Sequence, residues 1–250
     1  MSNGYSHAEH FPGPLHNPPS NKGSARKDHP PQAHHPKLQH HFDDMAQQLE
    51  ASTLGMWVFL VTEIMFFGGL FMAYLMYRWA NPSAFQEASH HLDKVWGGVN
   101  TVVLIVSSLT MAMAVRSAQT SAKPKTQVMW LLATMFFGTA FLGVKAVEYT
   151  DKFTHHLVPG PHFLWTGQYP QGAEIFYSLY FCMTGLHAVH MVIGLGMMTV
   201  ITIMAARGKF DGEYYTPVEV SGLYWHFVDI VWIFLFPLLY LIGAHYIPGH

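Results

Sequence analysis

The chain has 250 residues, of which half are hydrophobic and only 11% are charged, whereas about a quarter of the residues in a soluble domain are charged. This composition predicts a membrane protein, and the formal net charge of -2 argues against a nucleic-acid-binding protein. The single cysteine, Cys182, excludes an intramolecular disulfide and any metal cluster held by several cysteines.

The N-terminal stretch, residues 1–42, is rich in Pro, His, Gly and Asn and shows neither the period of a helix nor that of a strand. This composition predicts a disordered tail, which leaves residues 43–250 as the folded domain. The tail histidines are a candidate metal site, but they lack a fixed geometry, and simple solvation or adventitious binding is the favoured alternative. They are His7, His10, His16, His29, His34, His35, His40 and His41. A short helix leading into the membrane is predicted for FDDMAQQLE, at residues 42–50.

Five apolar segments follow, and each reaches the ~20 residues that a helix needs to cross the ~30 Å hydrocarbon core. A transmembrane strand would need only ~10 residues of alternating polarity, so the pattern does not fit a β-barrel. The sequence therefore predicts an all-α integral membrane protein with five transmembrane helices. The segments cover residues 54–77, 95–115, 128–149, 175–206 and 222–247.

The Lys and Arg residues outside these segments predict the orientation of the chain. With a cytoplasmic N-terminus, nine of them fall on the inner side and three, Arg78, Lys94 and Lys152, fall on the outer side. The sequence therefore predicts a cytoplasmic N-terminus and, after an odd number of spans, a C-terminus outside. The longest loop, residues 151–174, would then lie outside.

Glu63 is the only charged residue of the first apolar segment, about ten residues or ~15 Å into the predicted helix. A carboxylate at that depth costs at least a few kcal/mol, so the side chain is expected to be neutral or paired in the protein interior. Two interpretations stay open. One is a proton relay or ion site, and the other is a neutral carboxyl that forms a hydrogen bond to a neighbouring helix.

Two later segments carry pairs of polar residues at a spacing of three, which places each pair on one helical face. The fourth segment has His187 and His190, and the fifth has His226 and Asp229. Because His190 and His226 fall at similar depths, one hypothesis is that they ligate a b-type haem. The competing hypothesis is ordinary hydrogen bonding between helices.

The remaining polar residues of the spans receive simpler predictions. Lys145 and Glu148 lie near the outer end of the third segment and are predicted to be interfacial, within reach of water. Asn100, in the second segment, is predicted to form a hydrogen bond between helices. Arg207 and Lys209 directly follow the fourth segment, where basic side chains meet anionic headgroups, and are predicted to bind lipid phosphates.

Four stretches, taken in order along the chain, resemble subunit III of the haem–copper oxidases. Their shared order makes the resemblance specific, and it covers residues 40–250 but not the His-rich tail. The chain resembles the five-helix bacterial form, which lacks the first two helices of the seven-helix members. The stretches are LGMWVFLVTEIMFFGGLF (54–71), LGVKAVEY (142–149), TGLHAVHMVIG (184–194) and YWHFVDIVWIFLFPLLYL (224–241).

The resemblance implies a helper subunit in a respiratory terminal oxidase that reduces oxygen to water and moves protons. Such a subunit carries no haem or copper, packs against the catalytic subunit I and holds phospholipids in a cleft. The resemblance also implies support of proton uptake by subunit I and protection of that subunit against inactivation during turnover. Arg207 falls near a basic position that the family uses for lipid.

Residue by residue, the resemblance assigns family positions to the polar residues of the spans. Glu63 corresponds to the family's intramembrane glutamate. His187 and His190 correspond to its paired histidines. His226 and Asp229 belong to its last-helix motif. This correspondence weakens the haem-ligation hypothesis, because the family binds no haem in this subunit.

These observations together predict a non-catalytic, multi-pass subunit III in a bacterial cytoplasmic (inner) membrane, without a cofactor of its own and without a nucleic-acid partner. Haem and copper are expected in the partner subunits I and II, and a larger respiratory supercomplex is a candidate assembly. Two alternatives stay open: a related accessory subunit of a nitric oxide reductase, and an autonomous ion carrier that uses Glu63 and Asp229. The electron donor, a cytochrome c, a quinol or a partner complex, is not specified by the sequence.

Overall fold

The structure, a computed structural model, describes residues 44–161, 163–210 and 214–242. All of them belong to one compact unit of the chain, Lys37–His250. The predicted disordered tail and its histidines lie outside the described residues, so the boundary proposed at residue 42 stays a prediction.

The described residues form six α-helices and one π-helical turn, and they contain no strand. Five of the helices are long and apolar enough to cross a membrane, which confirms the predicted all-α fold with five spans. The orientation of the termini stays a prediction. The helices are α1 (Met45–Ala80), α2 (Pro82–His90), α3 (Lys94–Gln119), α4 (Pro124–Thr154), α5 (Pro170–Ala206) and α6 (Thr216–Phe236), and the π turn covers Pro237–Leu241.

The start of α1 differs from the sequence prediction. The short helix predicted at residues 42–50 is continuous with the first span, and α1 runs for 36 residues without interruption. Asp44 caps it, because its Oδ1 accepts a hydrogen bond from the Gln47 N–H at 2.7 Å. At 1.5 Å per residue α1 is ~54 Å long, so it extends beyond the ~30 Å hydrocarbon core.

The short helix α2 was not predicted. It begins at Pro82, a residue favoured in the first turn of a helix, and it buries Ala84, Phe85 and Ala88. Nine residues are too few to give a clear hydrophobic period, and the connecting stretch 78–94 therefore has no transmembrane signature. This helix packs against α5 and the π turn.

The last helix, α6, lies at the centre of the bundle and packs against α1, α3 and α5. Over its most apolar 18 residues the span formed by α6 and the π turn is 56% buried within the chain, against 17% for α1. Trp225 of α6 fits between two glycines of neighbouring helices. A Cβ atom added to Gly138 or Gly194 would lie only 2.7 or 2.9 Å from its ring. Small residues thus permit the close contact of helices that membrane bundles use.

The π turn is fixed by side chains from other helices. Pro237 has no N–H and disturbs the regular helical hydrogen bonds, which leaves carbonyl groups to be satisfied elsewhere. The Tyr74 hydroxyl donates to the Leu238 carbonyl, and the Ser89 hydroxyl donates to the Leu239 carbonyl at 2.7 Å. The turn brings Tyr240 into the interior, where it is fully buried.

Candidate functional site

Glu63 is paired with a histidine of another helix. Its Oε2 lies 3.1 Å from Nε2 of His190, so the pair joins α1 to α5. The Nδ1 of His190 lies 2.8 Å from the Leu186 carbonyl oxygen. Because a carbonyl oxygen can only accept, Nδ1 carries a hydrogen, and one further proton is shared between Nε2 and the carboxyl. The pair is electrically neutral overall whichever atom holds that proton, which suits its position within the span.

Aromatic side chains pack against this pair, whose His190 and Glu63 side chains are 14% and 19% exposed. The ring of Phe67 lies edge-on to His190 at a centroid distance of 5.3 Å, and the ring of Tyr224 is stacked on it at 6.5 Å. The Tyr224 hydroxyl donates to the His190 carbonyl at 3.1 Å. Three helices therefore hold the imidazole in place, and the prediction that Glu63 is paired in the protein interior agrees with this geometry.

His187 lies on the same helix as His190 but contacts different groups. It is buried among aromatic rings, at centroid distances of 5.5 Å from Phe141 and 5.3 Å from Trp232. Both of its ring nitrogens are buried without a hydrogen-bond partner among the described residues. The two histidines therefore do not act on one group together.

The structure does not bring His190 and His226 together as two ligands of a haem. His190 binds Glu63, whereas Nδ1 of His226 lies 2.7 Å from the Ser108 hydroxyl oxygen of α3. Both histidines instead form hydrogen bonds between helices, which was the competing hypothesis. In the part of the chain that the structure describes, no group of three His, Cys, Asp or Glu side chains is placed to hold a metal ion.

Asp229 is the least satisfied acidic side chain of the spans. It is 3% exposed, and neither of its carboxyl oxygens has a hydrogen-bond partner among the described residues. It lines a cavity of about 400 Å³ between α3 and α6, together with Ser108 and His226. The predicted spacing of His226 and Asp229 does place both residues on one face, and that face borders this cavity.

Lys145 is buried, so the prediction that it lies within reach of water is wrong, whereas Glu148 is partly buried and lines a cavity of about 580 Å³ together with Asp93 and Asp151. Lys145 is 4% exposed and the Glu148 side chain 10% exposed, and they form an ion pair of 2.8 Å. Tyr180 of α5 and Tyr240 of the π turn complete what we call the Lys145 cluster: Lys145, Glu148, Tyr180 and Tyr240. The sequence indicated that the two charges are neighbours on one helix, but it did not indicate that tyrosines from other elements cover them.

Every strong hydrogen-bonding group of the Lys145 cluster has a partner. The Lys145 ammonium donates to Glu148 Oε2 at 2.8 Å and to the hydroxyl oxygens of Tyr180 and Tyr240 at 3.0 and 2.9 Å. Each of these hydroxyls in turn donates to Glu148 Oε1, at 2.9 Å from Tyr180 and 2.6 Å from Tyr240. A lysine has three donors and a carboxylate accepts readily through both oxygens, so the geometry fits a buried ion pair with satisfied charges.

Asn100 does not form the predicted hydrogen bond between helices. It is fully buried, but neither its amide oxygen nor its amide nitrogen has a partner among the described residues. The neighbouring residue Thr101 makes such a bond instead, because the Trp232 Nε1–H of α6 donates to its hydroxyl oxygen at 3.1 Å. A propensity argument cannot distinguish two adjacent polar residues that point in different directions.

Arg207 and Lys209 lie where the sequence placed them. Arg207 is the C-cap residue of α5, and both side chains are exposed at that end of the bundle. Arg116, near the end of α3, and Glu219, near the start of α6, line one cavity. The end of α3 and the start of α6 therefore lie at the same end of the bundle. The prediction that Arg207 and Lys209 bind lipid phosphates stays a prediction.

The sequence matches known proteins along most of its length. The family model described as cytochrome c oxidase subunit III matches residues 38–244. The chain is 34% identical over 193 residues to cytochrome c oxidase subunit 3 of Corynebacterium diphtheriae, which covers 76% of this chain and 87% of that protein. It is 35% identical over 192 residues to cytochrome c oxidase subunit 3 of Synechocystis sp., which covers 75% of this chain and 74% of that protein. It is 28% identical over 204 residues to a probable quinol oxidase subunit 3 of Staphylococcus haemolyticus, which covers 82% of this chain and 95% of that protein.

Proposed function

Because the chain belongs to the cytochrome c oxidase subunit III family, we propose that it serves as a non-catalytic subunit of a bacterial haem–copper terminal oxidase. The observation that carries the proposal is the family match, which spans residues 38–244 and therefore all five membrane spans. The whole complex reduces oxygen to water, and this chain contributes no group to that reaction.

The arrangement of the polar side chains favours a structural, non-catalytic role for this chain. Glu63 is engaged by His190, and the charges of Lys145 and Glu148 are matched within their cluster. Both groups join helices of this chain to one another. Such internally closed contacts stabilise a bundle, and they leave the haem and copper chemistry to the partner subunits.

The proposed protein partners are subunits I and II of the oxidase. Helix α1 supports this proposal, because it is the least buried span and carries large apolar side chains on its uncovered faces, including Trp57, Ile64 and Met65. In the membrane, those faces meet either lipid or another subunit. A respiratory supercomplex is a wider assembly that the same faces would allow.

Phospholipids are the second proposed class of partner. Arg207 and Lys209 are exposed cations at the end of a membrane span, where each contributes roughly 1 kcal/mol toward an anionic headgroup. With the N-terminus in the cytoplasm, as the distribution of Lys and Arg favours, these two side chains face the inner leaflet of a bacterial cytoplasmic membrane.

We further propose that the subunit supports proton uptake by subunit I and prolongs its activity. The choice of electron donor is open, because relatives include proteins named cytochrome c oxidase subunit 3 and proteins named quinol oxidase subunit 3. The donor therefore has to be identified with the intact complex.

The experiment is isolation of the complex through an affinity tag on this chain, in mild detergent, followed by subunit identification and metal analysis. We expect oxidase subunits I and II in equal amounts, together with haem and copper. Recovery of the chain alone as a homo-oligomer would support an autonomous carrier instead. Recovery with a nitric oxide reductase would support the other alternative and reject the assignment to an oxygen-reducing complex.

A further inference from the structure

Two adjoining cavities follow the contact between α3 and α6. The first has a volume of about 490 Å³ and opens at the end of the bundle where α3 finishes and α6 starts. Polar side chains line it: Arg116 and Gln119 from α3, Thr120 directly after α3, and Glu219 from α6. One carboxyl oxygen of Glu219 is buried there without a hydrogen-bond partner among the described residues.

The second cavity, of about 400 Å³, lies deeper along the same groove and is lined by the Asp229 carboxyl. The two cavities share two wall residues, Ala112 and His226. At 1.5 Å per residue from Thr216, His226 lies ~15 Å and Asp229 ~20 Å along α6. We call this pair of cavities the Asp229 groove. It leads from the polar end of the bundle to about the middle of the span.

The chemistry of Asp229 indicates a function for the groove in proton exchange. An ionised carboxylate that is 3% exposed and has no donor among the described residues would be strongly destabilised. The neutral acid is the form that this site accommodates, and it has one O–H donor and further acceptor capacity left unused. An acid with these capacities that borders a cavity is suited to exchange a proton with water or with a neighbouring side chain.

His226 and Ser108 occupy the position between the two cavities. The Nδ1 of His226 lies 2.7 Å from the Ser108 hydroxyl oxygen, and Ser108 lines the inner cavity together with Asp229. The His226 side chain, which carries the second ring nitrogen Nε2, also lines the outer cavity. By volume each cavity has room for several water molecules, since one molecule occupies about 30 Å³ in the liquid. Apart from Ser108, His226 and Asp229, the inner cavity is lined by apolar side chains of α3 and α6.

We propose that the Asp229 groove is a proton-access route, which connects the aqueous phase at the Arg116–Glu219 end of the bundle with the Asp229 carboxyl by way of His226 and Ser108. The route is a property of this chain alone and does not depend on the electron donor of the complex. It provides a membrane-embedded acid that exchanges its proton with one side of the membrane.

The proton transfer is balanced at each step. When the Asp229 carboxyl gives its proton to a water molecule of the inner cavity, that water passes a proton to the Ser108 oxygen, and the serine hydroxyl gives its own proton to Nδ1 of His226. The imidazolium then releases a proton from Nε2 to water in the outer cavity, and the carboxylate is left charged. The reverse sequence returns the proton, so no oxidant, reductant or other reactant is consumed.

The charged groups around this route are few. Helix α3 presents Arg116, and α6 itself presents Glu219 at the entrance. Helix α1 also packs against α6, and His226 borders a further cavity that α1 lines, whereas the α1 carboxyl, Glu63, is paired with His190 of α5. The exchange of Glu63 is therefore a control for Ser108→Ala, because Ser108 does not line the cavity beside α1.

The experiment measures the hydrogen–deuterium exchange of the Asp229 carboxyl in the intact membrane complex by infrared spectroscopy. The C=O band of the protonated acid is assigned as the band lost in Asp229→Asn. After transfer to D2O we expect a prompt isotopic shift of this band in the wild-type complex. His226→Phe and Ser108→Ala should each slow the shift by roughly tenfold or more, which equals about 1.4 kcal/mol in the barrier.

Matched controls separate the route from general loosening of the bundle. Ser178→Ala removes an exposed serine hydroxyl that bonds only to its own helix, and the shift should keep its wild-type rate. Where the proton shared with His190 resides on the Glu63 carboxyl, its C=O band, assigned with Glu63→Gln, should exchange at an unchanged rate in Ser108→Ala. Ser108→Ala leaves the proposal testable if the larger His226→Phe change prevents assembly.

Three outcomes would overturn the proposal. The absence of any C=O band attributable to Asp229 would show that the side chain is ionised. A wild-type band that stays unshifted for hours in D2O would show that lipid or a partner subunit seals the groove. Prompt exchange in both His226→Phe and Ser108→Ala would show that the proton reaches Asp229 by another path.

Discussion

The Lys145 cluster and the Asp229 groove each hold a carboxyl group within the bundle, but the two groups differ in their hydrogen bonding. In the cluster, Glu148 accepts hydrogen bonds from one lysine and two tyrosines, all between 2.6 and 2.9 Å. In the groove, Asp229 has no hydrogen-bond partner among the described residues and faces a cavity. The first arrangement holds a charge in place, and the second accommodates a neutral acid beside open space.

One chain therefore accommodates a carboxyl group within the membrane in two ways, as a paired carboxylate and as a neutral acid. A buried ion pair is stable only when its remaining donors and acceptors are satisfied, and the tyrosines of α5 and the π turn supply them. A lone acid avoids the same desolvation penalty by keeping its proton. Substitutions should therefore have much larger effects on stability in the cluster than in the groove.

The largest effect is expected for Lys145→Met. The change leaves the Glu148 carboxylate buried without its counter-charge, and removal of one member of such a pair costs about 3–5 kcal/mol. The thermal denaturation midpoint of the purified complex, measured in mild detergent, should fall sharply. The double variant Lys145→Met with Glu148→Leu should recover much of the loss, because it removes both charges. A single variant as stable as wild type would show that the pair is not ionised.

A smaller but clear loss is expected for Tyr240→Phe. The hydroxyl donates to Glu148 Oε1 at 2.6 Å and accepts from Lys145 at 2.9 Å. Hydrogen bonds to charged groups contribute about 1.5–3 kcal/mol, so the same denaturation assay should detect the change. Tyr77→Phe is the matched control, since Tyr77 is exposed and a surface substitution stays within about 0.5 kcal/mol. Equal midpoints for the two variants would contradict the assigned hydrogen bonds.

Asp229→Asn should change stability by less than about 1 kcal/mol. The amide has the size of the neutral acid, and the described structure contains no hydrogen bond to Asp229 that the change would remove. Glu148→Gln, the same chemical change in the cluster, is the comparison and should be clearly more destabilising. If Asp229→Asn destabilised the complex as much as Glu148→Gln, Asp229 would be ionised and paired.

Glu63→Gln should leave assembly intact and affect stability little. An amide donates to Nε2 of His190 much as a neutral acid does, so the link between α1 and α5 survives. Oxygen uptake, followed over many turnovers at matched subunit I content, should be near normal. Slower turnover at high pH or earlier inactivation would indicate that the shared proton is transferred. Complete loss of activity in an intact complex would reject a helper role for this residue.

The smallest effect on stability is expected for the double variant Arg207→Gln with Lys209→Gln. Both side chains are exposed, so the fold should be unchanged, but each loses roughly 1 kcal/mol of attraction to anionic headgroups. Phospholipid analysis of the purified complex should show less bound lipid. Unchanged lipid content would rule out the proposed phosphate contacts.

The sequence predicted the spans well because membrane insertion depends on local composition. Five apolar segments of sufficient length were enough to specify five helices, and most boundary errors fall where chains leave the membrane. The helix at residues 42–50 was predicted, but its continuity with the first span was not. The short helix α2 was missed, since nine residues give no hydrophobic period long enough to recognise. The positions of Glu63, His190, His226 and Asp229 were recognised because polar residues stand out in apolar helices.

The partners of these residues could not be predicted from spacing alone. Tyr240 reaches Lys145 across 95 residues of chain, and the Glu63–His190 pair spans 127. A helix position fixes which face a side chain occupies, but not which neighbouring helix lies opposite. The same reason explains the two errors. Lys145 was predicted to lie within reach of water because its tyrosine cover is remote in sequence, and Asn100 was given a bond that Thr101 makes.

The most direct test of the account is the distribution of haem when this chain is dissociated from its complex. The chain is separated from subunits I and II under conditions that keep each fraction folded, and haem is measured in each by the pyridine haemochrome assay. We predict that all haem, and the capacity to reduce oxygen, stays with the partner subunits. A stoichiometric b-type haem on the isolated chain would contradict the non-catalytic assignment and make His190 and His226 candidate ligands again.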